Sequence, residues 1–145
     1  MFRSIVPYGT RIGGNLPLIA YNGGLIRESL TARTLHHRAV DNRLAREVLS
    51  LCRERGWYVQ TYLDDKLYVE SRDDERALAY EKLADVTAVP LGQAYWELRG
   101  EPTKMLLIDD AETMSSITEE MRARFGGRLS LPRSKPGFLE VVARA

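Results

Sequence analysis

The chain has 145 residues, a formal net charge of +1 at pH 7, 44% hydrophobic residues and 28% charged residues. That length supports one domain with its own core and no covalent staples, and the balanced charge removes the basic footprint expected of a protein that binds nucleic acid or an anionic membrane. A single cysteine, Cys52, allows no intramolecular disulfide and fits a reducing compartment, no apolar run approaches the roughly 18 residues of a membrane span, and no secretory signal pattern is present, so a soluble cytoplasmic protein is expected.

Residues 1–16 carry no clear hydrophobic period and read as a loop or a frayed helix. Leu18–Tyr21 is a short apolar run of the kind buried in a parallel sheet, interrupted by Asn22-Gly23-Gly24. Residues 25–38 read as two further extended pieces. Asp41 is placed to cap a helix whose apolar stripe is Leu44, Val48, Leu51 and Cys52, ended by Gly56 in a left-handed conformation. In "WYVQTYLDDKLYVES" alternation assigns Trp57, Val59, Thr61, Leu63, Leu67 and Val69 to a buried face. Tyr58, Gln60, Tyr62, Lys66, Tyr68 and Glu70 fall on the other face, with a turn at Asp64-Asp65. A helix with the stripe Ala77, Tyr80 and Ala84 follows. Residues 86–100 are ambiguous, with a short helix possible at "QAYWELRG". "KMLLID" is a buried strand, and Asp110 caps a helix with the stripe Met114, Ile117, Met121 and Phe125, closed by Gly126-Gly127. A second hairpin surrounds Ser134-Lys135-Pro136-Gly137.

Helix, glycine, strand, turn, strand thus occurs at 41–70 and again at 110–142. The expected fold is α+β: an antiparallel sheet with helices on one face, built from two helix–β-hairpin units, the other face left open. Little catalytic chemistry is visible. His36 and His37 are adjacent, so in a strand they point apart and do not share a metal. Cys52 lies on an apolar stripe, where a thiol acts as a small hydrophobe. Asp64-Asp65, Asp73-Asp74 and Asp109-Asp110 sit at turns or helix starts, where capping accounts for them. The glycines of "GTRIGGN" and "NGG" lack the context of a phosphate loop. Tyr58, Gln60, Tyr62 and Tyr68 are either an ordinary solvated sheet face or a platform for a polar ligand. Arg133 and Lys135 are either part of an exposed hairpin or a source of positive charge for a phosphorylated ligand.

Four segments resemble a Cof-type hydrolase of the haloacid dehalogenase (HAD) superfamily, in family order. "PLIAYNGGLI" resembles the "IxxNGAxI" passage from core to cap, and "GWYVQTYLDDKLYVES" the cap hairpin. "PTKMLLIDD" resembles the "KxLLxD" strand and "GRLSLPRSKPGFLEVVARA" the "SxPxxLEIxP" return to the core. The resemblance implies that residues 1–24 are a piece of core with a linker, 25–142 a type-two substrate-specificity cap, and 143–145 the start of the return. Asn22, Gly23, Tyr58, Gln60, Tyr62, Tyr68, Arg133, Ser134 and Lys135 are then the substrate-contact candidates. The implied partners are a HAD core domain, a small phosphorylated metabolite and, through the open sheet face, a second copy; nucleic acid and membrane are not expected. The implied chemistry is attack of an aspartate on a phosphate ester with Mg²⁺ as cofactor of the whole enzyme. This chain has neither the Asp-x-Asp nor the Gly-Asp segment of that chemistry, so no catalytic residue or metal ligand is expected within it. The competing expectation is a free-standing α+β module that binds a small molecule or dimerises.

Overall fold

The computed structural model describes residues 1–145. Two sheets divide the chain. The smaller is an antiparallel meander of β1 (Pro17–Ala20), β2 (Leu25–Glu28) and β3 (Thr34–His37). The larger joins seven strands, β4 (Val59–Leu63), β5 (Lys66–Val69), β6 (Ala88–Pro90), β7 (Lys104–Ile108), β8 (Leu129–Ser130), β9 (Arg133–Lys135) and β10 (Phe138–Ala143). Its order is β6-β5-β4-β7-β10-β8, with β9 also on β10, and only β5 and β6 run parallel. The helices are α1 (Phe2–Ile12), α2 (Asn42–Arg55), α3 (Glu75–Ala84) and α4 (Ala111–Phe125). No helix is long and apolar enough to cross a membrane.

Local chemistry sets the helix ends as expected. The Asp41 carboxylate accepts from the backbone N–H groups of Arg43 and Leu44, and that of Asp110 from Thr113. Gly56 ends α2 at φ 66°, ψ 26°, which costs a residue without Cβ little. Residues Gly92–Glu97 form a 3₁₀ turn, the short helical piece anticipated in the ambiguous segment.

The stripes of α2 and α4 pack on one face of the large sheet. Val48, Leu51, Cys52, Met114, Ile117 and Met121 meet Val59, Met105, Leu107, Leu139 and Val141 there, each at most 3% exposed. The opposite face was expected to be open and is covered. Ala77 and Tyr80 of α3, with Phe2, Tyr21 and Leu25 from the N-terminal segment, close over Tyr62, Leu67, Val69, Leu106 and Ile108. A homodimer through an open sheet face therefore lacks the surface it was assigned.

The phase of the first hairpin also differs from expectation. The turn has two residues, Asp64 and Asp65, so Leu63 pairs with Lys66, Tyr62 with Leu67 and Thr61 with Tyr68. Directly paired residues point the same way. Leu67 and Val69 therefore lie with Tyr62, and Tyr68 lies with Thr61 on the face of α2 and α4. The expected assignment ran the alternation through the turn as if it were strand, which inverts β5.

Three expectations at the N-terminus are corrected. β1 is an antiparallel strand with Ile19 two-thirds exposed, not a buried strand of a parallel sheet. The two extended pieces of residues 25–38 are β2, which pairs with β1, and β3, which pairs with β2, and Asn22–Gly24 lies in the turn of the β1–β2 hairpin, with Ala20 opposite Leu25. The two sheets are joined instead by residues 38–41. Residues 2–12 form an ordered helix despite Pro7 and Gly9. Tertiary contact supports it: Gly9 lies close against Leu18 and Ser29, where an ideal Cβ would sit 2.9 Å from a methyl of Leu18 and 3.2 Å from the Cβ of Ser29.

Candidate functional site

The polar residues of the second sheet face form a buried network. On β4, Gln60 is opposite Leu106 and Tyr62 opposite Lys104; on β10, Glu140 is also opposite Leu106. This register gathers Gln60, Lys104 and Glu140, none more than 4% exposed. Lys104 Nζ lies 2.9 Å from Glu140 Oε2, an ionic contact, and 5.7 Å from the centre of the Tyr62 ring. Ser134 Oγ donates to Glu140 Oε1 at 2.8 Å, and the Tyr58 hydroxyl donates to Gln60 Oε1 at 2.7 Å. Gln60 Nε2 has no partner. Over the network runs a row of rings: Tyr21 to Tyr62 at 5.2 Å, Tyr62 to Tyr80 at 6.5 Å and Tyr80 to Phe138 at 6.1 Å between centroids. The Tyr62 and Tyr80 hydroxyls are 2.9 Å apart. Burial is the main cause raising the phenol pKa of Tyr21, Tyr58, Tyr62 and Tyr80 above the ordinary tyrosine value.

The candidates named from sequence thus separate. Tyr58, Gln60 and Tyr62 share a face and the buried network, whereas Tyr68 lies on the opposite face. Neither Gln60 nor Tyr62 is an open platform, since both are at most 1% exposed. Ser134 joins the network through Glu140. Lys135 is exposed, with Nζ 5.2 Å from the Phe138 ring centre. Arg133 is held to the start of α4 by Ser115 Oγ at 3.2 Å and also donates to the carbonyl of Pro136. Its guanidinium therefore serves the hairpin. Asn22 and Gly23 are exposed, at φ 57° and 89°.

Other residues gain roles that sequence did not reveal. Asp65 accepts from the backbone N–H of Phe2 at 3.0 Å and from the Tyr21 hydroxyl, so it ties the turn of the large sheet to the small-sheet segment. Tyr21 and Asn22 on one side, and Asp64 and Asp65 on the other, all have φ between 51° and 61°, a backbone region few non-glycine residues occupy. The signals for Lys104 and Glu140 were a lone charge in "KMLLI" and another in "FLEVV". His37 Nε2 meets Thr103 Oγ1 at 2.9 Å, and burial pushes the Cys52 thiol pKa up, as for a thiol of the core.

Each acidic pair has at least one member engaged elsewhere. Asp65 holds the N-terminal segment, Asp74 pairs with Arg76 at 2.9 Å, Asp109 lies 3.7 Å from Arg76, and Asp110 caps α4. No three His, Cys, Asp or Glu residues converge as a metal site would need.

A family model for haloacid dehalogenase-like hydrolases matches residues 1–145. The chain belongs to that family. Its fold is close to that of TM0651 from Thermotoga maritima, at 25% identity and a TM-score of 0.87, over 100% of this chain and 54% of that one. A HAD/COF-like hydrolase from Plasmodium vivax matches at 15% identity and a TM-score of 0.74, over 83% of this chain and 43% of its own. BT1666 from Bacteroides thetaiotaomicron, one of the phosphatases of the HAD superfamily, matches at 18% and 0.70, over 98% of this chain and 50% of its own. These matches accord with the Cof-type resemblance read from the motifs. The chain spans about half the length of these solved proteins. A comparison with curated proteins yields no match.

Proposed function

We propose that this chain is the substrate-specificity cap of a HAD phosphatase for small phosphorylated metabolites, together with an adjoining segment of the core. The observation that carries the reading is where apolar surface is left exposed. Tyr8, Ile12, Ile19, Leu30 and Leu35 are each at least 47% exposed, and all lie within residues 1–37. Only three other large apolar residues of the chain, Leu78, Leu83 and Val89, are comparably bare. An apolar surface of this kind suits the rest of a core domain, and the solved relatives have about twice this chain's length. In this reading the small-sheet segment belongs with the core, the large sheet with α2, α3 and α4 is the cap, and residues 38–41 connect them. The cap closes over and selects the leaving group. The nucleophile and metal ligands come from the core, since this chain has neither the Asp-x-Asp nor the Gly-Asp segment of that chemistry.

The test pairs the purified chain with a chimera in which it replaces the matching half of TM0651. With p-nitrophenyl phosphate and Mg²⁺, the chain alone should be inactive. The chimera should turn over and rank phosphorylated metabolites differently from TM0651. Hydrolysis that stays with the purified chain, or a folded chimera that ranks substrates as TM0651 does, would overturn the reading.

A further inference from the structure

Both tryptophans of the chain line one pocket of about 140 Å³, at the end of the large sheet where β4 begins and β5 ends. Trp57 and Trp96 are half-buried, packed against the core of α2 and α4 while also lining this pocket. Tyr58, Glu70, Ser71, Asp74 and Arg76 supply the rest of the polar and aromatic lining. The Asp65 turn and residues 38–41 lie at the other end of the strands. The five residues of β4 separate the two ends by roughly 17 Å at the usual rise per residue. The pocket is therefore removed from the place where a core would dock, and from Met1 and Ala145.

Charge narrows what can enter. The Arg76 guanidinium sits 4.9 Å from the centre of the Tyr58 ring and pairs with Asp74 at 2.9 Å and Asp109 at 3.7 Å. A cationic ligand would have to compete with Arg76 for the face of that ring. A phosphate would find Arg76 already neutralised, and the Glu70 carboxylate facing it. Glu70 accepts only from Gln93 Nε2, at 3.1 Å, so it has lone pairs to spare. The volume lies below the roughly 300–1,000 Å³ of pockets for drug-sized ligands, which limits the ligand to about one ring. Indole surfaces offer contact to an apolar ring face and an N–H donor each, and Glu70 offers an acceptor for hydroxyls.

We propose that this pocket is a second binding site, for an uncharged polyhydroxylated ring such as a free aldohexose, separate from any site for a phosphate ester. The ring lies against Trp57 and Trp96, its hydroxyls donate to Glu70, and Arg76 forms a wall. The proposal stands whether or not the chain acts as a cap.

Because no tryptophan lies outside the pocket, intrinsic fluorescence of the full 145-residue chain reports on it. The chain is titrated with glucose, galactose and mannose, and in parallel with glucose 6-phosphate and with choline, free tryptophan serving as the control for quenching. The expected result is a saturable change with at least one neutral hexose and none with choline or the phosphate. The midpoint should weaken about tenfold or more in Glu70→Gln. Amide shifts in NMR spectra of the unsubstituted chain should move at Glu70 and Ser71, a reading that depends on no variant being folded. No saturable response to any of the three hexoses would overturn the proposal. So would a response to choline or the phosphate alone, or one that leaves the Glu70 and Ser71 amides in place.

Discussion

The two faces of the large sheet are buried by different chemistry. Under α2 and α4 the contacts are mainly apolar, Val48, Ile117, Met114 and Met121 against Met105, Leu107, Leu139 and Val141, with one buried hydroxyl pair, Thr61 and Tyr95, at 2.8 Å. Under α3 and the N-terminal segment the same three central strands present Gln60, Lys104 and Glu140 beneath tyrosine rings. The first face needs mainly volume and hydrophobicity, so it tolerates exchange of one apolar residue for another of similar size. The second depends on partners, because a buried charge without its counter-ion or a donor without an acceptor costs more than the contact contributes. Burial of equal completeness therefore gives one face that stabilises and another that constrains which neighbours must be in place.

Substitutions can break this comparison. The largest effect is expected from Val48→Asp or Ile117→Asp, each of which puts an unpaired carboxylate into the apolar face. Neither variant should give a cooperative thermal transition; a folded, cooperatively melting Ile117→Asp would show that this face tolerates charge as the other does. On the second face, Lys104→Met alone or Glu140→Leu alone should each cost about 3–5 kcal/mol in urea denaturation, while the double variant recovers most of that loss. Additive losses in the double variant would mean that the pair is not coupled.

A pH titration sharpens the contrast from another side. Four of the five tyrosines whose pKa is raised, Tyr21, Tyr58, Tyr62 and Tyr80, lie over the second face; Tyr95 lies in the first. A phenol with a folded pKa above its unfolded value of 10.0 favours the folded state below that pH. The advantage disappears as the pH rises above it, because only the unfolded chain gives up the proton. Stability should therefore decline above about pH 10, and these five phenolates should appear in ultraviolet absorbance together with unfolding, not before it. Phe substitution at Tyr62 should shift the alkaline midpoint upward if desolvation of that phenol is the cause. The smallest effect is expected at Gln60. Gln60→Leu removes both the unpaired Nε2 and the acceptor of the Tyr58 hydroxyl, two opposed effects that should leave stability within about 1 kcal/mol of the parent. A loss of about 2 kcal/mol or more would show that the Tyr58 hydrogen bond outweighs the unpaired amide.

What could be read in advance follows how far each interaction reaches along the chain. The caps at Asp41 and Asp110, the end at Gly56 and the stripes of α2 and α4 depend on neighbours within four residues, and they lie where spacing put them. The stripe Ala77, Tyr80 and Ala84 was equally legible, but the face it would cover was not. Nothing local tells a helix after β5 which side of the sheet to cross. The inverted assignment of Leu67, Val69 and Tyr68 arose at one turn, where two residues rather than an odd number decide which way every later side chain points. Residues 1–16 were legible only as a loop or a frayed helix because Pro7 and Gly9 are poor helix residues, and the support of α1 comes from Leu18 and from Asp65, far along the chain. For the candidate site, the aromatic and amide residues of β4 were recognisable, and their covering was not.

The Asp65 turn also sets an order of assembly. The hairpin of β4 and β5 closes over two residues, a local event of microseconds. Its bonds to Tyr21 and to the backbone of Phe2 span 44 and 63 positions of sequence, so the chain-closure entropy of those contacts is recovered only once the turn already exists as a rigid acceptor. The segment around Phe2 and Tyr21 is then late to settle, waiting for a carboxylate 63 positions beyond Phe2 in the sequence.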